Sequence, residues 1–302
     1  MPDSRRPGTY KRRKRRQRRS FLIPLLNLLL LAALVGGLYL FVRYYIGPKE
    51  SMQEKTEETT AGLTEETEEE KPQKTGEETK VPSFAADLVE TDIYTFLQGP
   101  KAWNSKTDWS GEWCQEILAG QYFSVFGCGL CDLANIYSTL TPYDCSPLDM
   151  YDFAREVSTY SPSDGYGAID WPEMRDTLSA TGISSELKKK DKTYEEFQKN
   201  IAGAATTIAL VTSYEDSTYW QDVEGHYVNL WLYDKSDDTV LLGDSGNPDH
   251  NRQRIPLRYV YDALKTSDKY QYMVVTDMDE EANTWKHDGI AGKWKKPSYY
   301  KS

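Results

Sequence analysis

The first hydrophobic feature along the chain is an apolar run from Phe21 to Val42, broken only by Pro24, Asn27, Gly36, Gly37 and Tyr39. A helix rising about 1.5 Å per residue covers roughly 33 Å over such a run, enough to cross a bilayer core. The pattern then vanishes: residues 48–82 hold eleven Glu and five Lys and almost nothing that could enter a core. Core-type residues resume at Phe84, Tyr94 and Trp103, which places the start of a folded domain near 83. Within it, Leu130, Leu133, Ala134, Tyr137 and Leu140 recur at helical spacing and predict a helix over Cys128–Leu140. Further helices are expected over Pro147–Thr159, with proline at its start, over Asp170–Ala180, opened by D-W-P-E and stopped by Gly182, and over Tyr194–Ala202 and Pro256–Lys265. Alternating or continuous apolar runs predict strands over Thr206–Thr212, His226–Tyr233, Thr239–Gly243 and Tyr270–Thr276. Helices lead and paired strands follow, the order of an α+β domain.

Charge turns the apolar run into a topology. Residues 1–20 hold ten Lys or Arg against the single acid Asp3. Positive charge on one flank keeps that flank in the cytoplasm. A cleaved signal peptide fits less well, because the run exceeds the roughly 7–15 residues of an h-region and no small-x-small site follows closely. The expected organisation is therefore a basic cytoplasmic segment (1–20), a transmembrane signal anchor (21–43), an acidic disordered stalk (44–82), a folded domain (83–280) and a C-terminal tail (281–302), either docked or loose. The domain is expected outside the cell membrane, and residues 21–43 make the lipid bilayer a partner. The basic run Lys11–Arg19 reads as a topology determinant rather than a nucleic-acid signal. The first 43 residues contribute +10 to a chain of net charge −11, so the remainder carries −21. That excludes nucleic acid as a partner of the external domain.

The chemistry must come from few residues, since the chain has three His (226, 250 and 287) and four Cys (114, 128, 131 and 145). Cys128 lies in F-G-C-G-L-C-D-L-A-N, where a loop with two glycines enters the predicted helix. A thiol at a helix N-terminus faces unpaired amides and the positive dipole end, which lower its pKa and can hold an oxyanion. His226 opens the run H-Y-V-N-L-W-L-Y, and Asp244 closes the next apolar run, V-L-L-G-D-S-G-N-P. A turn at Asp234–Asp238 makes these strands a hairpin, setting Asp244 beside the His226 ring. Thiol, imidazole and carboxylate then form a nucleophile, a base and an orienting acid.

These residues resemble the papain-like cysteine peptidases: G-C-G at a helix start, then G-H-Y-V-N-L-W, then G-D-S-G-N-P. The nearest branch is that of the bacteriocin-leader (double-glycine) peptidases and their stand-alone bacterial relatives, over about residues 100–280. The resemblance implies a papain-like fold, with N-terminal helices, the nucleophile at a helix start and a C-terminal antiparallel sheet. It also implies the roles Cys128 nucleophile, His226 base and Asp244 orienting acid, with a peptide or protein substrate and no cofactor or metal. It further implies a Gln upstream of the Cys as oxyanion donor. Tyr122 stands at the usual offset of six, and Gln121, one residue earlier, takes the role if the loop absorbs one residue.

Taken singly, each residue has a plainer reading: Cys128 buried or bridged, His226 a structural histidine, Asp244 a turn former in D-S-G-N-P. His250 and His287 fall in polar loops and read as solvated. C-G-L-C has dithiol redox spacing, but Gln121–Gly127 is a poor strand to precede it, and C-x13-C-x2-C-x13-C is a weak zinc pattern. The loop 160–170 has the Gly, Ser and Pro content of a flap. The primary expectation is a membrane-anchored, extracytoplasmic thiol hydrolase, a peptidase using Cys128, His226 and Asp244 through a thioester acyl-enzyme. The alternatives are a catalytically silent cell-surface binding module of the same fold, favoured by the missing Gln at the usual offset, and a cell-wall amide hydrolase acting on wall peptide.

Overall fold

The computed structural model describes residues 80–300. The segments expected in the cytoplasm and the membrane, and all but the last three residues of the expected stalk, lie outside the described residues. Among the described residues no helix is long and apolar enough to cross a membrane. The elements run α1 (Pro100–Asn104), the hairpin β1 (Ile117–Leu118) and β2 (Gln121–Tyr122), α2 (Phe123–Phe126), α3 (Cys128–Leu140), α4 (Pro147–Val157) and α5 (Trp171–Ala180). They continue through β3 (Ile183–Lys188), α6 (Tyr194–Ala202), β4 (Thr206–Val211), β5 (His226–Asp234), β6 (Thr239–Gly243), β7 (Arg254–Pro256), α7 (Leu257–Ala263) and β8 (Tyr272–Met278). The result is α+β.

Local sequence accounts for most helix ends. Ser146 Oγ accepts the Asp149 amide while the Asp149 carboxylate accepts the Ser146 amide, and Pro147 fills the first helical position of α4. Thr193 and Glu196 close the same reciprocal box at α6. The D-W-P-E pattern at α5 predicts another, but Asp170 makes no capping hydrogen bond. Its carboxylate instead accepts from the Tyr166 hydroxyl at 3.4 Å.

Six strands form one antiparallel sheet in the order β3-β8-β4-β5-β6-β7. The period of two sorts each strand between two cores. Ile208, Leu210, Tyr227, Trp231, Met273 and Val275 face α3, α4 and α5. Ala209, Val211, Val228, Leu230, Val240 and Val274 face α6 and α7. Central β4, buried at all six positions, therefore reads as a continuous apolar run rather than an alternating one. The polar edge strand β3 and the three-residue β7 carry no such signal, and hydropathy does not predict them.

Residues 281–300 dock. Trp285 stacks on Phe153 with ring centroids 4.1 Å apart, and the backbone pairs of Trp109 with Lys295 and Lys295 with Ser110, at 2.9 and 2.8 Å, seat the last turn. Trp294 packs against Phe96 and Trp109 at 5.7 and 5.8 Å. Trp294→Ala should cost about 2 kcal/mol, below the value for a fully buried Trp because this ring is half-buried, and lower the melting temperature by roughly 4–8 °C. An unchanged thermal transition would mean the tail contributes nothing to the fold.

Candidate active site

The glycines around Cys128 have separate steric jobs. A Cβ on Gly127 would lie 2.3 Å from the Phe123 ring, so only glycine lets α2 turn directly into α3. A Cβ on Gly129 would lie 2.8 Å from Ile169 and 3.3 Å from Tyr227, so glycine allows the start of α3 to close on β5. With glycine as the residue before it, α3 has no side-chain cap and no acid in its first turn. Its first amides stay outside the helical ladder and point at Cys128 and its surroundings.

The β5–β6 hairpin supplies the other two groups. Asn229 pairs with Gly243 and Asp234 with Thr239, a register that sets the end of β6 beside the start of β5. The extra residue that shifts the register, with Leu232 at φ +49°, lies between Trp231 and Asp234, away from that end. His226 Nε2 meets Asp244 Oδ1 at 2.8 Å. The carboxylate is buried and also accepts the Gly246 and Asn247 amides, each at 3.0 Å, and Trp220 Nε1 at 3.2 Å. With Nε2 committed to Asp244, Nδ1 is the ring nitrogen left to face the Cys128 thiol, whose pKa this imidazole lowers.

Burial alone would raise the Cys128 pKa. The hydrogen bond and positive charge of His226, aided by the Tyr227 and Gly129 amides, outweigh it and hold the thiol below its ordinary range. Burial would likewise neutralise His226, but the charge and hydrogen bond of Asp244, then those of Cys128, hold its pKa well above the usual value. Asp244 is held well below the ordinary carboxylate range by His226, His250 and Trp220, against the effect of burial. The arrangement stabilises a thiolate–imidazolium pair, the ionic form of an activated nucleophile.

Gln98, Val125, Cys128, His226, Asp244 and His250 line one cleft with a volume of about 570 Å³. Gln121 does not line it: it lies in β2, paired with Leu118. A different glutamine, Gln98, thirty positions before Cys128, is in the lining instead. Its Nε2 donates to the Ser124 carbonyl at 2.8 Å, leaving one hydrogen free, and its Oε1 accepts from Ser245 Oγ at 2.9 Å. His250, expected to be solvated, instead stands with Nδ1 3.4 Å from Asp244 Oδ2 and its ring 4.3 Å from that of Tyr219. His287 is stacked on Trp285. The loop expected to be a flap is tied down by the Gly165 amide on the Ala119 carbonyl and the Tyr160 hydroxyl on that of Gly167.

Sequence reading passed over Asp132. One helical turn beyond Cys128, it is fully buried, and neither carboxylate oxygen has a hydrogen-bond partner among the described residues. Burial, then the Cys128 charge, push its pKa well above the ordinary range. Burial and the neighbouring thiolate thus disfavour its ionised form.

Two outcomes follow from these ionisations. The thiolate is present above the depressed Cys128 pKa and lost below it, so alkylation of Cys128 by iodoacetamide should remain fast at about pH 7, under the ordinary thiol value near 8.5. In His226→Ala, burial is no longer offset and the rate at that pH should fall at least about tenfold; equal profiles would show that the imidazole does not activate the thiol. Asp132 has the opposite sign to Asp244. Its folded pKa is raised, so its contribution is fully present below the unfolded value of about 4 and is lost as pH rises, by up to about 1.4 kcal/mol per unit. Asp132→Asn should therefore gain stability relative to the unaltered chain between about pH 4 and pH 7; parallel denaturation curves at both pH values would show that Asp132 is ionised in the fold.

Residues 168–273 match the family model of phytochelatin synthase, a family of cysteine-dependent enzymes related to the papain-like cysteine peptidases. The match spans about a third of the chain, takes in His226 and Asp244, and begins after Cys128. No curated protein matches the chain. A phytochelatin synthase-like segment, papain-like in its relationships, thus lies on a mixed helical and antiparallel-sheet fold.

Proposed function

We propose that the chain is a cysteine-dependent hydrolase of peptide bonds, and that residues 21–43 anchor it in a membrane with the folded domain outside the cell. The observation that carries the catalytic part is the convergence of Cys128, His226 and Asp244 on one cleft where the α3 N-terminus meets β5, with His226 Nε2 on Asp244 at 2.8 Å. In this reading the Cys128 thiolate attacks the carbonyl carbon and forms a C–S bond. The negative charge on the carbonyl oxygen is met by the Cys128 amide and the free Nε2 hydrogen of Gln98. The C–N bond then breaks as the His226 imidazolium gives its Nδ1 proton to the leaving amine. Water attacks the resulting thioester, passes a proton to His226 and releases the carboxylic acid and the thiolate. Asp244 keeps its proton count throughout, fixing the ring and balancing its positive charge.

The silent-module alternative rested on the lack of a Gln at the usual offset. Gln98 in the cleft lining supports the active reading. The anchored arrangement is supported by the ten basic residues before the apolar run and the acidic stretch after it. A cell-wall amide hydrolase would use the same residues on a different amide. The bacteriocin-leader branch offers the same chemistry but acts on the cytoplasmic side, so an external domain would have a different substrate.

A thiol-directed acylating ester should give a thioester on Cys128 that turns over in the unaltered chain. Gln98→Ala should slow that turnover by roughly 10²-fold, as for loss of one oxyanion donor, while leaving the pH dependence of iodoacetamide alkylation unchanged. Mass spectrometry that finds no acyl group on Cys128 would defeat the hydrolase reading.

A further inference from the structure

Beyond the Cys128–His226 pair, the charged side chains of the cleft are all acidic. Asp222 and Glu224 stand exposed in its lining, which contains no Lys or Arg. Among the described residues neither carboxylate has a cation at ion-pair distance. Lys265 packs beside Gly225 but pairs with Asp268 at 3.1 Å. The third carboxylate of the cleft, Asp244, is already committed to His226, Trp220 and two amides.

The segment that carries the two acids is held at both ends. At its neck, the Ser213 amide donates to the Val223 carbonyl at 2.9 Å and the Val223 amide to Ser213 Oγ at 3.0 Å; Thr212 Oγ1 adds a bond to the same carbonyl at 3.1 Å. Near its tip, Trp220 is bonded to Asp244 and Tyr219 lies on His250. The backbone that carries Asp222 and Glu224 is therefore held beside the cleft. Across the cleft, Val125 is 66% exposed, an apolar wall on the helical side. A carboxylate pair opposite an exposed aliphatic side chain complements an extended segment bearing both positive charge and apolar side chains, and opposes an acidic one.

We infer that the cleft selects a basic peptide, one with Lys or Arg within a residue or two of the bond presented to Cys128 and an apolar residue beside it. This rests on Cys128 being the nucleophile of this cleft and adds the substrate class. The fixed negative field raises the local concentration of such peptides and fades with ionic strength, because both acids are exposed.

The test is protection of Cys128, which needs no turnover and senses residues on either side of the reacting bond. The purified full chain is alkylated with iodoacetamide in the presence of a capped Ala-Lys-Val-Lys-Ala peptide or its Glu-for-Lys counterpart. At low salt the Lys peptide should give half-protection at a concentration about tenfold lower than the Glu peptide. That advantage should shrink at high salt and fall to within about twofold in Asp222→Asn/Glu224→Gln. Equal protection by the two peptides, protection by neither, or an advantage that persists in the double variant would overturn the substrate class. Alkylation without peptide that is indifferent to His226→Ala would instead overturn the hydrolase reading, so the two failures are distinct.

Discussion

The contact on which the site depends is the approach of the α3 N-terminus to the start of β5, where a Cβ at 129 would lie 3.3 Å from Tyr227. That approach brings the uncapped amides of one helix, the thiol of its first residue and the imidazole of the strand into one volume. Three ionisable groups share this interior, and burial by itself would neutralise each of them. They stay charged because each is the partner of the next. A buried pair of this kind adds little net stability compared with apolar packing, whereas loss of one member strands the others. The arrangement is thus understood as selected for chemistry rather than for folding.

An extended segment, 93–98, joins the helical and sheet halves around that contact. Its backbone is bonded by Asn135 and Thr139 of α3, by Trp109, by Ser245 after β6 and by Asn251. Asn135 in turn donates to Asn229 of β5 at 2.9 Å. A polar seam of this kind fixes the register between α3, β5 and the incoming strand-like segment, because a slip of one residue would leave buried amides without partners. It is also what delivers Gln98 to the cleft. Gln98 is placed by tertiary hydrogen bonds, not by its distance in sequence from Cys128.

That explains which parts of the molecule could be read from the chain. The helices over Cys128–Leu140 and Tyr194–Ala202 and the strand Thr239–Gly243 follow from periodicity and caps, which are local, and the structure has them over those same residues. The hairpin that sets His226 beside Asp244 was legible too, since a short turn fixes strand register. Gln98 was not: a rule based on offset from the cysteine led to Gln121, which pairs with Leu118 in a separate two-stranded hairpin. His250 and Asp132 were missed for a related reason. A histidine in N-P-D-H-N reads as solvated until the loop folds back on Asp244, and an aspartate on a helix reads as exposed until the face it occupies is known. The strand β3 was hidden by its polar sequence, which an edge position permits.

The four cysteines show how strongly one sequence can divide a single chemical group. All four are free thiols, yet only Cys128 has an imidazole and amides to offset burial. Cys114 is pushed up to about 11 by burial, and Cys131 and Cys145 are raised by the same cause. The C-G-L-C spacing therefore does not make a dithiol pair. Cys131, three residues along α3, is wholly buried, while Cys128 opens on the cleft. Thiolate character and access, which together decide reactivity toward electrophiles and oxidants, coincide at one position only. A domain working beyond the reducing cytosol would need that separation, since the more reactive thiols it exposed, the sooner it would be lost to oxidation.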